Sequence, residues 1–244
     1  MSDLTLIYYT ANRISADFAG AVRRSLVSSM SLPIIVVSQN GTPHSDTEIS
    51  ADFTNQMQTL IYVAAAPSIW QVYQNVLTAA RLAATPFIAC CEDDTLYAPS
   101  HFTYRPAPDV FAYDRSRWVI TRQLSEDKRR REAFYYWRAR TQMAMCIAPR
   151  QLMIDTLEER FAHYPAPVPH DVAKKTGWGE PGRYEKNLKL TPRRLEYFNA
   201  EEPSVTFNHS ESLMGRRRVN PDDIIKTELP NWGHADALWT RIHG

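Results

Sequence analysis

Cysteine is scarce in this sequence, with three residues among 244. Cys90 and Cys91 are neighbours inside an apolar run, and adjacent cysteines rarely close a relaxed disulfide, so a disulfide framework is excluded. The spacing of the three cysteines also matches no structural zinc pattern. We therefore expect buried thiols in a reducing compartment.

Long apolar runs and an excess of charge are missing as well. No stretch approaches the roughly 20 uninterrupted apolar residues that span a bilayer, and the start of the chain lacks the layout of a secretory signal. The formal net charge of +1 gives no overall polyanion signal. No heptad or large apolar stripe is evident, which leaves the oligomeric state open. We expect one enzyme-sized cytoplasmic domain without a membrane partner.

The first hundred residues alternate apolar runs with amphipathic segments. The runs at 4–9, 34–37 and 87–91 have the composition of buried parallel strands. Apolar positions at helical spacing predict one helix through 18–26 and a second that begins after Ser68. This alternation predicts an α/β fold with a parallel sheet and right-handed crossovers, in which ligands bind at the carboxyl ends of the strands.

The rest of the chain is less regular. Residues 118–122 are predicted to form a strand, whereas 132–148 and 151–164 are predicted to form helices. Residues 39–46 contain Asn, Gly and Pro in a turn-forming order and are predicted to be a loop. The Pro-, Gly- and Lys-rich stretch 165–192 predicts a long loop with a functional role.

Three consecutive acids, Glu92, Asp93 and Asp94, follow the apolar run 87–91 directly. Carboxylates brought together in a cleft repel one another, and a divalent cation is the usual compensation. Carboxylate and phosphate oxygens are the ligands that Mg²⁺ and Mn²⁺ prefer, so the triplet predicts one of these ions and a diphosphate-bearing substrate. The alternative is a solvated acidic turn at the end of an edge strand.

Four segments then carry a resemblance to the donor half of the GT-A glycosyltransferases, namely Leu6-Ile7-Tyr8-Tyr9-Thr10-Ala11-Asn12, Pro33-Ile34-Ile35-Val36-Val37-Ser38, the helix end Ala79-Ala80-Arg81, and 87–97 with its Glu-Asp-Asp. The order of 92–97, His101-Phe102 and Arg105-Pro106 is closer still to a GT-2-like subgroup of phages and bacteria. That subgroup includes glycosyltransferases of hydroxylated DNA bases, of the base J type. The resemblance spans most of the chain and is strongest over the first hundred residues.

The resemblance implies one GT-A domain over 1–244, with a donor half at 1–100 and a loop-rich acceptor half at 101–244. Its Rossmann-like sheet would be mostly parallel, with helices on both faces. The implied activity is metal-dependent transfer of a sugar from a nucleotide-diphosphate donor, a UDP-sugar by analogy, to a hydroxyl group. The implied acceptor is a 5-hydroxymethylpyrimidine in DNA, such as 5-hydroxymethylcytosine. A polysaccharide, lipid or protein acceptor fits the same donor features and stays open.

By position, the resemblance assigns residues of the donor site. Thr10, Asn12 and Ser38 would line the nucleotide pocket, and Tyr9 would pack on the base. Arg81 would neutralise the donor phosphate or hold the sugar. An arginine in the last turn of a helix is nearly as often explained by its favourable interaction with the helix dipole. This interpretation of Arg81 therefore stays open beside donor binding.

The resemblance also assigns residues of the metal centre by position. Asp94 would be the direct metal ligand, and Glu92 and Asp93 would contact ribose, sugar or metal-bound water. His209 would close the site as a late histidine, although a lone histidine is more often structural. Because imidazole binds Mn²⁺ better than Mg²⁺, a ligand at His209 predicts activation by manganese.

A general base is expected in the long loop. Inverting transfer needs a carboxylate to take the proton of the acceptor hydroxyl, and Glu180 lies between glycine and proline close to Trp178. Asp171 is the reserve candidate, and a turn glutamate is the alternative interpretation of Glu180. In a retaining enzyme Glu180 would lose this role.

DNA binding would fall to two basic runs, in which the candidate residues are Arg130, Arg131, Arg216, Arg217 and Arg218. The aromatic stretch 134–137 could stack on an exposed base, although aromatic residues more often belong to the core. Other classes remain: a non-catalytic nucleic-acid-binding protein, and a nucleotidyltransferase. The latter needs a glycine-rich phosphate loop after the first strand, and none is present. A glycosidase ranks last, because its acids must flank the sugar rather than be adjacent.

Overall fold

A seven-stranded sheet organises the structure, a computed structural model that describes residues 2–40, 43–53, 55–124, 131–166, 179–213 and 215–243. The strands are β1 (Leu4–Thr10), β2 (Ile34–Gln39), β3 (Met57–Val63), β4 (Phe87–Glu92), β5 (Thr95–Leu96), β6 (Val110–Asp114), β7 (Trp118–Leu124), β8 (Arg131–Trp137), β9 (Cys146–Pro149), β10 (Arg194–Phe198), β11 (Val205–Phe207), β12 (Ile224–Lys226), β13 (Glu228–Leu229) and β14 (Gly233–His234). The α-helices are α1 (Ala16–Ser29), α2 (Pro43–Asp52), α3 (Ile69–Leu82), α4 (Arg150–His163) and α5 (Ala235–His243), and two 3₁₀ turns lie at Pro99–Thr103 and Met143–Met145.

The central sheet has the strand order β10-β6-β9-β4-β1-β2-β3. Strands β3, β2, β1 and β4 pair in parallel, as do β10 and β6, and β9 is antiparallel to both of its neighbours. The sheet is therefore mostly parallel, as predicted. Helices α1 and α3 begin at capped positions, since the hydroxyls of Ser15 and Ser68 accept hydrogen bonds from backbone N–H groups in the first turn of each helix.

Helices cover both faces of this sheet because its strands are apolar on both sides. On one face Ile7 packs in a cluster with Val76 of α3 and Leu157 of α4. On the other face Leu6 packs with Leu26 of α1 and with α2. Burying a side chain of this size contributes about 1.5–3 kcal/mol, so this two-sided layer holds the strand ends in fixed positions.

A second sheet, with the order β12-β8-β7-β11-β5, packs on α1 and α5 through Phe18, Ile120 and Leu238. Its edge strand β5 follows the acidic triplet directly, and it pairs with β11 so that the Phe207 N–H donates to the Asp94 carbonyl at 2.9 Å. This pairing joins the end of β4 to the chain segment that follows residue 207. No helix in the described part of the chain is long and apolar enough to cross a membrane.

Two predictions of secondary structure were wrong. A loop was expected at 39–46, but β2 runs to Gln39, Asn40 has a φ of 52°, and α2 begins at Pro43; residues 41 and 42 lie outside the described residues. Proline suits the first turn of a helix because its missing N–H has no helical partner there. The local turn signal was correct, but it does not specify where the next element begins.

The helix expected over 132–148 is β8, a 3₁₀ turn and β9 instead. β8 pairs antiparallel with β7, and the alternate residues Ala133 and Tyr135 are buried in the core of the second sheet. Aromatic residues favour strands, and here pairing with β7 overrides the helical spacing. Tyr135 is fully buried, so the stretch 134–137 is not an exposed stacking platform as a whole.

Candidate active site

The carboxyl ends of β1 and β4 open onto a cavity of about 570 Å³. The two strands pair with Tyr9 opposite Glu92, so their ends lie side by side. The second sheet forms another wall, and residues between 179 and 184 add to the lining. Seven of the residues predicted from the sequence meet in this lining: Tyr9, Glu92, Asp93, Asp94, Glu180, His209 and Arg217.

Each acid of the triplet is held by a hydroxyl group. The Tyr9 hydroxyl donates to Glu92 Oε1 at 2.7 Å, and Thr10 Oγ1 donates to Asp93 Oδ2 at 2.5 Å. Thr95 Oγ1 donates to Asp94 Oδ1 at 3.0 Å. The carboxylates are therefore fixed at the edge of the cavity rather than solvated in a turn.

Burial makes two of these acids hard to ionise. Burial, followed by the charge of Asp94, raises the pKa of Glu92 to about 8 and that of Asp93 to about 6. Near pH 7 the triplet therefore resists carrying three negative charges. A bound cation would remove this penalty, because it stabilises the ionised forms.

His209 meets the last acid of the triplet. Its Nε2 lies 3.1 Å from Asp94 Oδ2, and its Nδ1 lies 3.3 Å from Glu211 Oε2. Burial alone would lower the pKa of His209, but the hydrogen bond to Asp94 and the neighbouring carboxylates outweigh it and raise that pKa. The pair exists because β11 ends beside residue 94 and delivers His209 two residues later.

The Asp94–His209 pair has a spacing that suits one metal ion. Two neighbouring ligands of an octahedral ion at about 2.1 Å are about 3.0 Å apart, close to the observed separation. Within the described ranges, no group of three or more His, Cys, Asp or Glu side chains could hold a metal ion. The part of the chain that is described thus offers two protein ligands, and the remaining coordination positions would fall to substrate oxygens and water.

Glu180 also lines the cavity, and it is half-buried. Burial raises the pKa of its carboxyl group, which Arg183 Nη1 approaches at 3.5 Å. The preceding Gly179 allows close packing, since a Cβ there would lie 2.0 Å from the ring of Tyr184. Trp178 and Asp171, the other residues predicted here, lie outside the described residues.

A buried ion pair holds the segment that carries Glu180. Arg160 of α4 donates through Nη1 to the Gly179 carbonyl at 3.0 Å and through Nη2 to Glu185 Oε1 at 2.5 Å. Both charged side chains are almost completely buried, at 0% and 1% exposure. The position of Glu180 is therefore set by α4 as well as by its own loop.

Three residues that were predicted to line the nucleotide pocket, Thr10, Asn12 and Ser38, support the cavity wall instead of lining it. The Thr10 hydroxyl holds Asp93 and accepts the Asn12 N–H at 2.9 Å. Asn12 Nδ2 in turn donates to Ser38 Oγ at 2.9 Å and to the Gln39 carbonyl at 3.0 Å. Ser38 is fully buried, and Asn12 borders a separate cavity of about 210 Å³. The polar groups of Thr10, Asn12 and Ser38 are thus used in hydrogen bonds to one another, to Gln39 and to Asp93. This network helps to hold Asp93 in place.

The prediction that Arg81 contacts the donor phosphate or sugar is also corrected. It lies in the last turn of α3, which runs back from the carboxyl edge of the sheet to the start of β4. That is the edge opposite the acids, and there Arg81 Nη2 pairs with Glu158 Oε1 at 2.8 Å on the surface. It does not line the cavity. Closeness to β4 in sequence does not reveal which end of the strand a residue occupies.

The basic runs divide between surface and cavity. Arg130 lies outside the described residues, and Arg131 is exposed at the start of β8. Arg216 and Arg218 are exposed, and Arg216 donates to a backbone carbonyl of β7. Arg217 instead lines the cavity. The described arginines of the two runs therefore do not form one continuous DNA-binding surface.

Sequence reasoning missed four further arginines of the cavity, Arg13, Arg117, Arg140 and Arg183. Arg117 is 3% exposed, and burial, followed by the charge of Arg217, lowers its pKa to about 10. Tyr136 is buried beside it in the same wall. Arg117 stands alone before β7, without a motif that marks it, and it meets the acids only through the pairing of β7 with β11.

No family model and no curated protein matches the sequence. Among solved structures, the mannosyltransferase PcManGT from Pyrobaculum calidifontis, in complex with GDP-Man and Mn²⁺, shares 13% identity over 83% of this chain and 56% of its own, with a TM-score of 0.46. A 4-diphosphocytidyl-2C-methyl-D-erythritol synthase from Anaerococcus prevotii shares 7% identity over 81% and 87%, with a TM-score of 0.48. The galactosyltransferase LgtC, in complex with donor and acceptor sugar analogues, shares 9% identity over 98% of this chain and 95% of its own, with a TM-score of 0.50. The likeness to LgtC spans nearly all of both chains, and with it the chain has the GT-A type α/β fold that its sequence predicted.

Proposed function

We propose that this protein is a metal-dependent glycosyltransferase that moves a sugar from a nucleotide-diphosphate donor to a hydroxyl group. The observation that carries the proposal is the pairing of Asp94 with His209 at the edge of one cavity, beside two further, half-buried acids. The GT-A type fold supports it, since ligands of such sheets bind at the carboxyl ends of the strands. A UDP-sugar is the donor that the sequence resemblance implies.

Asp94 and His209 would hold Mn²⁺ or Mg²⁺, with Mn²⁺ preferred because one ligand is an imidazole. When bound, the ion neutralises charge that develops on the leaving diphosphate. Tyr9 and Thr10 keep Glu92 and Asp93 at the cavity edge, where these carboxylates can accept hydrogen bonds from the donor sugar or from water. The hydroxyl groups thus fix the acids in place before the substrate arrives.

Glu180 is the residue we assign to the acceptor proton. In inverting transfer, the acceptor oxygen forms a bond to the anomeric carbon while the bond from that carbon to the diphosphate oxygen breaks. The proton passes to the Glu180 carboxylate, and the electron pair leaves with the diphosphate. The raised pKa of Glu180 suits a base that operates near neutral pH. Arg160 acts as a positioning residue through the Gly179 carbonyl.

For the acceptor, the sequence resemblance implies a 5-hydroxymethylpyrimidine in DNA. The exposed Arg131, Arg216 and Arg218 supply cations outside the cavity that phosphates could contact, and Arg217 supplies one inside it. A base must leave the helical stack to reach a cavity of this kind. A sugar hydroxyl of a polysaccharide, lipid or protein is the other acceptor class.

The test uses the wild-type chain with UDP, GDP, CDP and their sugar conjugates in the presence of Mn²⁺. Isothermal titration identifies the nucleotide, and mass spectrometry of hydroxymethylated DNA, unmodified DNA and simple sugars identifies the acceptor and the added mass. We expect nucleotide binding that requires metal and is lost in Asp94→Ala. The exposed Asp109→Ala serves as the control that retains binding. Absence of nucleotide binding, or binding indifferent to Asp94→Ala, refutes the proposal.

A further inference from the structure

The two ring nitrogens of His209 contact different carboxylates. Nε2 lies 3.1 Å from Asp94 Oδ2, and Nδ1 lies 3.3 Å from Glu211 Oε2. The proposed metal site uses Asp94 and the Nε2 atom. It gives no role to Glu211, which lines the same cavity and which no sequence pattern singled out. The carboxylate on the Nδ1 side of the imidazole therefore needs an explanation of its own.

Glu211 is placed to contact the imidazole rather than to share an ion with Asp94. The two nitrogens of an imidazole point in diverging directions, so a carboxylate at Nδ1 lies on the other side of the ring from one at Nε2. Among the residues that the structure describes, no three acidic, histidine or cysteine side chains are grouped so that they could hold one ion together. Glu211 is therefore a partner of a ligand rather than a ligand.

Local contacts hold Glu211 and the imidazole in this arrangement. Ser210 Oγ donates to Glu211 Oε1 at 2.6 Å, and the other oxygen, Oε2, faces His209. The backbone is fixed one residue earlier, because the Asn208 N–H donates to a backbone carbonyl of β7 at 2.9 Å. Phe18 packs on the His209 ring with 6.3 Å between the two centroids. The imidazole thus has one contact at each nitrogen and a third at the ring.

The position of the ring proton decides whether His209 can bind a cation. A neutral imidazole carries one such proton, and a proton on Nε2 occupies the nitrogen that a metal needs, whereas a proton on Nδ1 leaves the Nε2 lone pair free. An ionised carboxylate only accepts hydrogen bonds. Asp94 therefore attracts the proton to Nε2, and Glu211 attracts it to Nδ1. Glu211 favours the tautomer in which His209 can be a ligand.

We propose that Glu211 is a positioning residue for the metal ligand His209, because it holds the ring proton on Nδ1 and keeps the Nε2 lone pair directed to the cation beside Asp94. The inference rests on the metal site of the proposed function, but not on the reaction. Outer carboxylates of this kind fix the ring and raise the basicity of the ligand. The Glu211 side chain is 49% exposed, so its contact with His209 contributes little to the stability of the fold.

The first experiment measures the Kd for Mn²⁺ of the full chain, with and without UDP, by electron paramagnetic resonance of the free ion. We expect Glu211→Ala to weaken Mn²⁺ binding about 10- to 100-fold at an unchanged Tm. Glu211→Gln should stay within a few-fold of the wild type, because its amide oxygen also accepts from Nδ1. Glu201→Ala removes an exposed acid elsewhere and is the control for charge. Equal Kd values in Glu211→Ala and the wild type overturn the proposal.

A double-mutant cycle separates positioning from direct ligation. If Glu211 acts through the imidazole, it has nothing to act on in His209→Ala. Adding Glu211→Ala to that variant should therefore leave the Kd for Mn²⁺ unchanged within about two-fold. A further loss of affinity in the double variant, as large as the loss in Glu211→Ala alone, would make Glu211 a ligand in its own right and overturn the positioning role.

Electron spin echo spectroscopy reports the ligand directly, because a coordinated imidazole nitrogen modulates the echo of Mn²⁺. We expect this nitrogen signal in the wild type and in Glu211→Gln, and a weaker signal at equal Mn²⁺ occupancy in Glu211→Ala. An unchanged signal in Glu211→Ala rejects the role of Glu211 and leaves the glycosyltransferase proposal standing. A wild type that binds no Mn²⁺, with or without UDP, rejects the metal site and both proposals with it.

Discussion

His209 and Asp94 are 115 residues apart in the chain, yet Nε2 of one lies 3.1 Å from Oδ2 of the other. The antiparallel pairing of β11 with β5 builds this contact, because it places the end of β11 beside the start of β5. A two-strand pairing thus brings together the two proposed metal ligands, which neither segment contains alone.

Replacing either ligand should remove metal-dependent transfer. We expect Asp94→Asn and His209→Ala each to lower kcat/KM by about 100-fold or more, because even partners of metal ligands cost about 10- to 100-fold when removed. His209→Asp should keep activity and shift the preference from Mn²⁺ towards Mg²⁺, since an oxygen replaces the imidazole. Steady-state assays with each ion measure this, and an unchanged metal preference in His209→Asp would show that the imidazole is not a ligand.

The Thr10 hydroxyl should matter although it does not line the cavity. Thr10→Val removes the donor to Asp93 without changing side-chain volume, and we expect Mn²⁺ affinity to fall about 10-fold. Isothermal titration with Mn²⁺ and the nucleotide gives the change. Ser28→Ala removes an exposed helical hydroxyl and is the control. Equal affinities in the two variants would mean that Asp93 needs no support.

The metal-free protein should be less stable at pH 8 than at pH 5.5. Burial raises the pKa of Glu92 to about 8 and that of Asp93 to about 6, so between pH 4.5 and 8 the folded state binds more protons than the unfolded state. Stability therefore falls as pH rises through this window, and the raised pKa of His209 acts in the same direction. The effect is on the order of a few kcal/mol.

Thermal unfolding in a chelator at both pH values measures that loss of stability. Asp93→Asn should reduce the difference, because it removes one of the acids, and Mn²⁺ should raise Tm more at pH 8 than at pH 5.5. A metal-free protein that is equally stable at both pH values would show that these carboxyl groups do not titrate in the folded state as described.

The buried pair of Arg160 and Glu185 should be a major source of stability for the segment that carries Glu180. Arg160→Met leaves Glu185 buried without a partner, and we expect a loss of about 3–5 kcal/mol in the free energy of unfolding. Urea denaturation measures it. Arg194→Met breaks an exposed pair with Asp109 and should cost about 1 kcal/mol or less.

Glu180 should act on turnover more than on substrate binding. We expect Glu180→Gln to lower kcat about 10²- to 10⁴-fold in an inverting enzyme while leaving donor affinity within a few-fold of the wild type. Single-turnover kinetics and nucleotide titration separate the two quantities. Full kcat in this variant would remove Glu180 from the proton transfer.

The fold of the first hundred residues was predictable because its signals are local. Strand β4 is a continuous apolar run, and the acids follow it without a gap, so burial and position could be inferred from one short segment. The helix after Ser68 has both a cap and an apolar face. For such segments, composition and spacing alone predict the element and the strand end at which the acids lie.

The rest of the chain was not predictable in the same way, because its contribution to the cavity depends on which strands pair. The spacing over 132–148 fits a helix, and only the partner β7 makes it a strand. Arg117 enters the cavity through the register of β7 on β11, which no local pattern encodes. Arg81 was misplaced for a related reason: the direction of α3 decides which edge of the sheet it occupies.

Two hydrogen bonds join the Asn208 side chain to the backbone of Arg217 and tie the two positions together like a bridge between strands. Lengthening a segment whose ends are tied costs little, because closure entropy grows only slowly with length. The number of residues between Asn208 and Arg217 can therefore change at a smaller cost than the positions of these two anchors.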